Sequence, residues 1–155
     1  MTVKLELIDI RDKKILAVLL MEYQTEILGE QPGEYKYLDS YWEKENRYPY
    51  FIKIDGNIAG FVLINSHTLV VNNAKSISEF YVKKEFRRDG VGTQAASQAF
   101  NLFPGTWEVR ELCKNPKARL FWTKVIGDIT NNNFKEIEMN NENLKGWIQT
   151  FNNNT

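Results

Sequence analysis

One stretch constrains this chain more than any other: Phe80-Tyr81-Val82-Lys83-Lys84-Glu85-Phe86-Arg87-Arg88-Asp89-Gly90-Val91-Gly92-Thr93. An apolar strand, expected over Ile77 to Val82, runs into a basic turn. The turn ends in two glycines, and the glycines open a helix expected over Val91 to Phe103. Backbone N–H groups at a helix start have no intrahelical partner, and the helix dipole adds partial positive charge there. Glycine places no Cβ between those N–H groups and an incoming phosphate. Lys83, Lys84, Arg87 and Arg88 add positive charge around the same place. The stretch is that of an anion cradle, with a pyrophosphate as the expected guest.

Two other readings fit the same residues. A glycine pair that opens a helix can be a tight turn and nothing more. Gly90-Val91-Gly92-Thr93-Gln94-Ala95 also fits G-x-G-x-x-A, the dinucleotide fingerprint, with Glu108 and Glu111 about 20 residues further on. Position speaks against the fingerprint. It should follow the first strand of an alternating strand–helix series. Here it follows several consecutive strands, and too little chain remains to build the second half of such a sheet.

With 155 residues, 43% of them hydrophobic, the chain is long enough for one globular domain, expected over residues 1–151. The Asn-rich end, Asn152 to Thr155, is expected to be a disordered tail. Twenty basic and twenty acidic residues cancel, and the basic cluster of the turn is diluted by Glu85 and Asp89, so no nucleic-acid partner is expected. One cysteine excludes an internal disulfide and fits a reducing compartment. Met1-Thr2-Val3-Lys4-Leu5-Glu6 alternates like a strand and is not a signal peptide, and no apolar run approaches the length of a membrane span. A cytoplasmic protein, monomer or homodimer, with no metal and no membrane partner, is the expectation.

In chain order, Val3, Leu5 and Leu7 mark a half-buried strand. Asp9 or Asp12 caps a helix over Arg11 to Leu28, with an apolar stripe at Leu16, Leu19, Leu20, Tyr23 and Ile27. Gly29, Pro32 and Gly33 break it, and a second helix is expected over Leu38 to Asn46. Tyr50–Ile54 and Ile58–Asn65 form a hairpin about Asp55-Gly56-Asn57, and the Ile77–Val82 strand completes an antiparallel meander. After the glycine helix, Trp107–Arg110 is a strand parallel to Ile77–Val82. Ala118, Phe121, Trp122, Val125 and Ile126 mark an amphipathic helix that opens at Asn115-Pro116 and ends at Gly127. Strands over Phe134 to Asn140 and Trp147 to Phe151 follow.

The order Val-x-x-x-x-Arg-x-x-Gly-x-Gly, filled by Val82, Arg87, Gly90 and Gly92, resembles the acetyl-CoA signature of the GNAT family of N-acetyltransferases. Glu108-Val109-Arg110, followed by Asn115-x-x-Ala118-x-x-Phe121-Trp122, resembles that family's second block. The resemblance implies an α+β fold: a mixed, mostly antiparallel sheet flanked by helices in a three-layer α/β arrangement, the acyl-CoA N-acyltransferase fold. It implies that acetyl-CoA is the co-substrate and that an amine-bearing small molecule or peptide is the acceptor. Phe80, Tyr81, Val82, Arg87, Arg88, Asp89, Gly90, Val91, Gly92, Thr93 and Asn115 would then hold the cofactor. The turn amides would bind its pyrophosphate, and the strand would pair with its pantetheine arm. The chain departs from the family at Arg88, often glycine there, and at Trp122, often tyrosine.

The implied reaction is direct attack of a primary amine on the thioester. A lysine-like amine titrates near pH 10.4, so it must first lose a proton to a base or a chain of waters. Glu108 and Glu79 are the candidate bases, and each is equally readable as a strand-surface charge. Where the family's tyrosine is thought to protonate the leaving thiolate, Trp122 is a core aromatic, because an indole is no usable acid. Tyr81 or water then remains as the acid, or none is needed. A backbone N–H near Val82 would polarise the thioester carbonyl. Cys113 is read as a bystander and His67 as a loop residue. Tyr35, Tyr37, Tyr41 and Trp42 line the acceptor side or belong to the core. A non-catalytic acyl-CoA-binding sensor or interaction domain on the same fold is the alternative, with Trp122 as its best support.

Overall fold

The computed structural model describes residues 2–30 and 32–154. They fall into two compact units: the described residues up to Ile64 together with Glu79–Ala95, and Asn65–Ser78 together with the described residues from Ala96 on.

The first unit begins with β1 (Val3–Leu7), antiparallel to β2 (Arg47–Ile54), with Leu5 opposite Ile52. The Asp9 carboxylate accepts the Arg11 amide and caps a short 3-10 turn, so α1 (Lys13–Leu28) starts two residues later than its pattern suggests. Leu16, Leu19 and Leu20 face the core, while Ile27 stays exposed. Gly29, at φ 75°, ends the helix by donating its N–H to the Thr25 carbonyl. The second helix is shorter than Leu38–Asn46: α2 covers only Ser40–Glu43. The residues before it close 3-10-type bonds instead, Leu38 to Tyr35 and Ser40 to Tyr37, and Lys44 is already extended. Asp55 and Gly56, at φ 50° and 87°, make the two-residue turn from β2 to β3 (Asn57–Asn65). Lys83 N–H donates to the Ala59 carbonyl, so the end of β4 (Ala74–Val82) lies beside the start of β3, as an antiparallel pair requires. The approach is tight: a Cβ on Gly60 would stand 1.9 Å from the Tyr81 carbonyl oxygen. Ile8, Leu16, Leu19, Leu20, Tyr41, Phe51, Phe61, Leu63 and Tyr81 form this unit's apolar core.

In the second unit β5 (Thr106–Leu112) runs parallel to β4, as the helical crossover α3 (Val91–Leu102) requires. Their ladder pairs Ala74 with Thr106, Lys75 with Trp107 and Ser76 with Glu108. Asn115 caps α4 (Pro116–Thr130), accepting the Ala118 amide. This helix runs through Gly127, the residue expected to end it, and stops at Asn131, at φ 55°. β6 (Lys135–Asn140) and β7 (Lys145–Asn152) form an antiparallel hairpin, and β7 inserts between β6 and β5. Burial explains that order. β7 is almost wholly buried, whereas β6 is exposed along its length and suits the edge. A Cβ on Gly146 would meet the Glu111 carbonyl oxygen at 1.9 Å. Phe100 packs edge-on to Trp107 and Phe151, with centroids 4.9 and 5.1 Å away, and Trp122 adds a third contact at 5.9 Å.

The end of the chain is held more firmly than its composition suggests. Asn152 belongs to β7, and the Asn153 side chain accepts the Gly105 amide and donates to the Phe100 carbonyl. Thr155, part of the expected tail, and Met1, at the start of the expected first strand, lie outside the described residues. The strand order is β1-β2-β3-β4-β5-β7-β6, a mixed seven-stranded sheet flanked by helices, and the element order is the expected one. No helix among the described residues is long and apolar enough to cross a membrane.

Candidate functional site

The glycine turn takes its form from two successive left-handed residues, Asp89 at φ 57° and Gly90 at φ 74°. Together they reverse the chain and start α3. Asparagine and aspartate tolerate this region better than other side chains, and glycine is at ease there. The Val91 amide is taken by the Arg88 carbonyl at 3.3 Å and the Gln94 amide by the Gly90 carbonyl at 2.9 Å. Gly92 and Thr93 supply the amides between them at the helix start. Val91 is buried beneath the turn, while Arg88, Asp89, Gly90 and Thr93 are exposed.

Arg87 is already engaged. Its Nε donates to the Val82 carbonyl at 2.6 Å, its second amino group meets Glu26 at 2.6 Å, and its guanidinium lies 5.5 Å from the Tyr81 ring centre. Arg88 donates to the Glu85 carbonyl, and Lys83 pairs with Glu85. Lys83, Arg87 and Arg88 are therefore each held by a neighbour in this unit.

In the same unit, Glu79 and Tyr81 share a face of β4. The Glu79 carboxylate accepts the Tyr23 hydroxyl on one oxygen at 2.9 Å and the Tyr35 hydroxyl on the other at 3.0 Å. Burial and the Glu79 charge push the Tyr23 phenol far above its ordinary range. Tyr81 is buried, with its hydroxyl 3.4 Å from Glu22. Burial first, then Glu22 and Glu26, raises its pKa, so it keeps its proton but gives it up reluctantly. Of the aromatics expected near an acceptor, Tyr41 is buried in the core and Trp42 donates to the Ile8 carbonyl, while Tyr37 is exposed. The link from Tyr23 and Tyr35 to Glu79 had no mark in the sequence, because a hydroxyl's target is set by the fold.

In the second unit Glu108 is wholly buried and spoken for. Its carboxylate accepts the amides of Leu69, Val70 and Val71 at 2.8, 2.8 and 3.3 Å, and Arg110 stands 3.7 Å away. That geometry anchors a loop and leaves none of the Glu108 side chain exposed. Asn115 is an N-cap. Trp122 is buried, as a core aromatic should be, and Cys113 and His67 are exposed. Glu111, read in the sequence only as a possible ribose ligand, is 4% exposed, and its carboxyl is pushed up to about 8 by burial. Among the described residues no group of three or more His, Cys, Asp or Glu side chains could hold a metal ion.

The family model described as the acetyltransferase (GNAT) family matches residues 15–127. The chain belongs to that family. None of the curated proteins matches it significantly. Among solved structures, an aminoglycoside acetyltransferase in complex with coenzyme A is 15% identical at a TM-score of 0.73, covering 97% of this chain and 95% of that one. An N-acetyltransferase from Thermoplasma acidophilum, also in complex with coenzyme A, is 14% identical at 0.67, covering 98% and 99%. A ribosomal-protein alanine N-acetyltransferase from Escherichia coli is 13% identical at 0.66, covering 99% and 96%. At such identities the likeness is one of fold.

Proposed function

We propose that this chain is an acetyl-CoA-dependent N-acetyltransferase acting on a primary amine by direct attack. The observation that carries the reading is the turn at Asp89-Gly90, two left-handed residues that open α3 directly after β4 in a chain of this family. Its first-turn amides suit a pyrophosphate. Arg87 is half exposed in its pairing with Glu26, and such pairs contribute about 1 kcal/mol at most. A pyrophosphate therefore competes well for the same guanidinium. The backbone of Phe80 to Val82 takes the pantetheine arm, and an amide near Val82 polarises the thioester.

Glu79 is the base in this reading, since Glu108 is consumed by loop amides. It receives the ammonium proton of the acceptor, directly or through water. The free amine then attacks the carbonyl carbon, the C–S bond breaks with its electron pair on sulfur, and the proton left over on the nitrogen passes to that thiolate or to water. A thiol titrates near pH 8.5, so the thiolate leaves without a strong acid. Tyr81 is a proton donor in reserve. The buried Trp122 favours a second reading, a non-catalytic acyl-CoA-binding domain.

Thermal stabilisation tests the cofactor. Acetyl-CoA at a hundred times its dissociation constant adds about 2.7 kcal/mol, a shift of several degrees for a chain of this size. Acetyl-CoA should give that shift and NAD should not. A folded sample that ignores acetyl-CoA sinks the proposal. CoA release in the presence of an amine panel then separates enzyme from binding domain.

A further inference from the structure

Glu79 is gripped from two directions within one unit. Tyr23 reaches it from α1, and Tyr35 from the segment between α1 and α2. Each phenol serves a different oxygen, at 2.9 and 3.0 Å. A carboxylate has about four lone-pair sites. Two donors, one on each oxygen, therefore fix its plane. Packing holds the rings in turn: Tyr23 lies edge-on to Phe61 at 5.5 Å and tilted against Tyr81 at 5.7 Å, and Tyr35 lies edge-on to Tyr37 at 5.9 Å. Tyr23 keeps its proton throughout the working range, so it acts as a donor and not as a competing base.

We propose that Tyr23 and Tyr35 are positioning residues that aim the Glu79 carboxylate, and that through Tyr35 the same carboxylate fastens the segment leading into α2. The first half rests on the reading of Glu79 as the base. The second half stands on the hydrogen bonds alone. Neither phenol needs to touch the reacting atoms.

Tyr→Phe variants remove each hydroxyl and keep each ring. They would be made alone and in a Glu79→Gln background. CoA release would be followed with acetyl-CoA and spermidine, kanamycin or a short alanine-terminated peptide as acceptor. A hydrogen bond to a charged group, when lost, costs about a factor of ten or more. Tyr23→Phe and Tyr35→Phe should each lower kcat by about tenfold, leave the KM for acetyl-CoA unchanged, and lower it no further once Glu79 is Gln. Full kcat in either variant overturns the proposal, and so does an equal loss in the Glu79→Gln background.

Amide exchange gives a readout that needs no turnover. Tyr35→Phe should speed exchange across residues 32–39, and Tyr23→Phe should leave it unchanged. Unchanged exchange in Tyr35→Phe removes the fastening role. If no amine turns over, coupling between Tyr23→Phe and Glu79→Gln in urea unfolding decides the positioning, and simple additivity overturns it. Acetyl-CoA stabilisation of the wild type, measured alongside, reports separately on the transferase reading.

Discussion

Glu108 and Glu111 stand three residues apart on one strand, and their surroundings give them opposite chemistry. Glu108 meets three loop amides; Glu111 meets one amide group, from Gln149, and Gln149 also donates to Glu136. The second oxygen of Glu111 is buried and accepts no hydrogen bond, which suits a carboxyl still holding its proton. With the folded pKa pushed from 4.5 to about 8, the sign follows. Below 4.5 both states carry the proton. Between 4.5 and 8 only the folded state keeps it, so stability falls as pH rises through that window and levels off above it. Glu111→Gln should flatten that slope in urea unfolding measured from pH 5 to 9. Glu108→Ala strands three amides, and about 3 kcal/mol of stability should go with it. A variant as stable as wild type would remove the anchor reading. In the sequence Glu108 and Glu79 looked alike, acidic positions on expected strands, and Glu111 lay just beyond one. What separates them is the set of donors that distant segments bring within hydrogen-bond reach, and no local pattern records that.

Among elements, those with strong periodic stripes or turn pairs were the legible ones. The helices α1, α3 and α4 and the Asp55-Gly56 turn lie close to where the pattern puts them. The errors fell where a local bond outweighed the pattern. The residues expected to start α2 chose 3-10 bonds, and α4 ran past Gly127 to an asparagine able to take a left-handed φ. The glycine turn was legible as a motif, but the inward use of Arg87 was not, since its partners Glu26 and the Val82 carbonyl give no signal by spacing. Asn115 sits at the junction of β5 and α4, where it caps the helix and where the family resemblance implies a ligand. Asn115→Ala should cost about 1 kcal/mol in urea unfolding, whereas Asn115→Ser should hold stability within a few tenths because serine also caps. Both should weaken acetyl-CoA binding by calorimetry. If Asn115→Ser binds as wild type, the residue is a cap alone.

For the molecule as a whole, the element order and the parallel β4–β5 pair follow from the sequence, and the place of β7 does not. Only its burial on both faces puts it inside the sheet, and a short apolar run cannot announce its neighbours. Charges that balance to zero leave little mutual repulsion between molecules. Light scattering should show the lowest solubility near pH 6.6, with recovery on either side. The two narrow strand crossings, at Gly60 and Gly146, bear on how such a chain drifts over time. Substitution at either site would push one backbone into another, a change that no neighbouring side chain can absorb. A saturation library selected for folding should return glycine alone at positions 60 and 146, while Gly33, with open space around it, should return nearly everything. Two fixed letters, each inside a strand, would then mark a lineage whose other residues are free to wander.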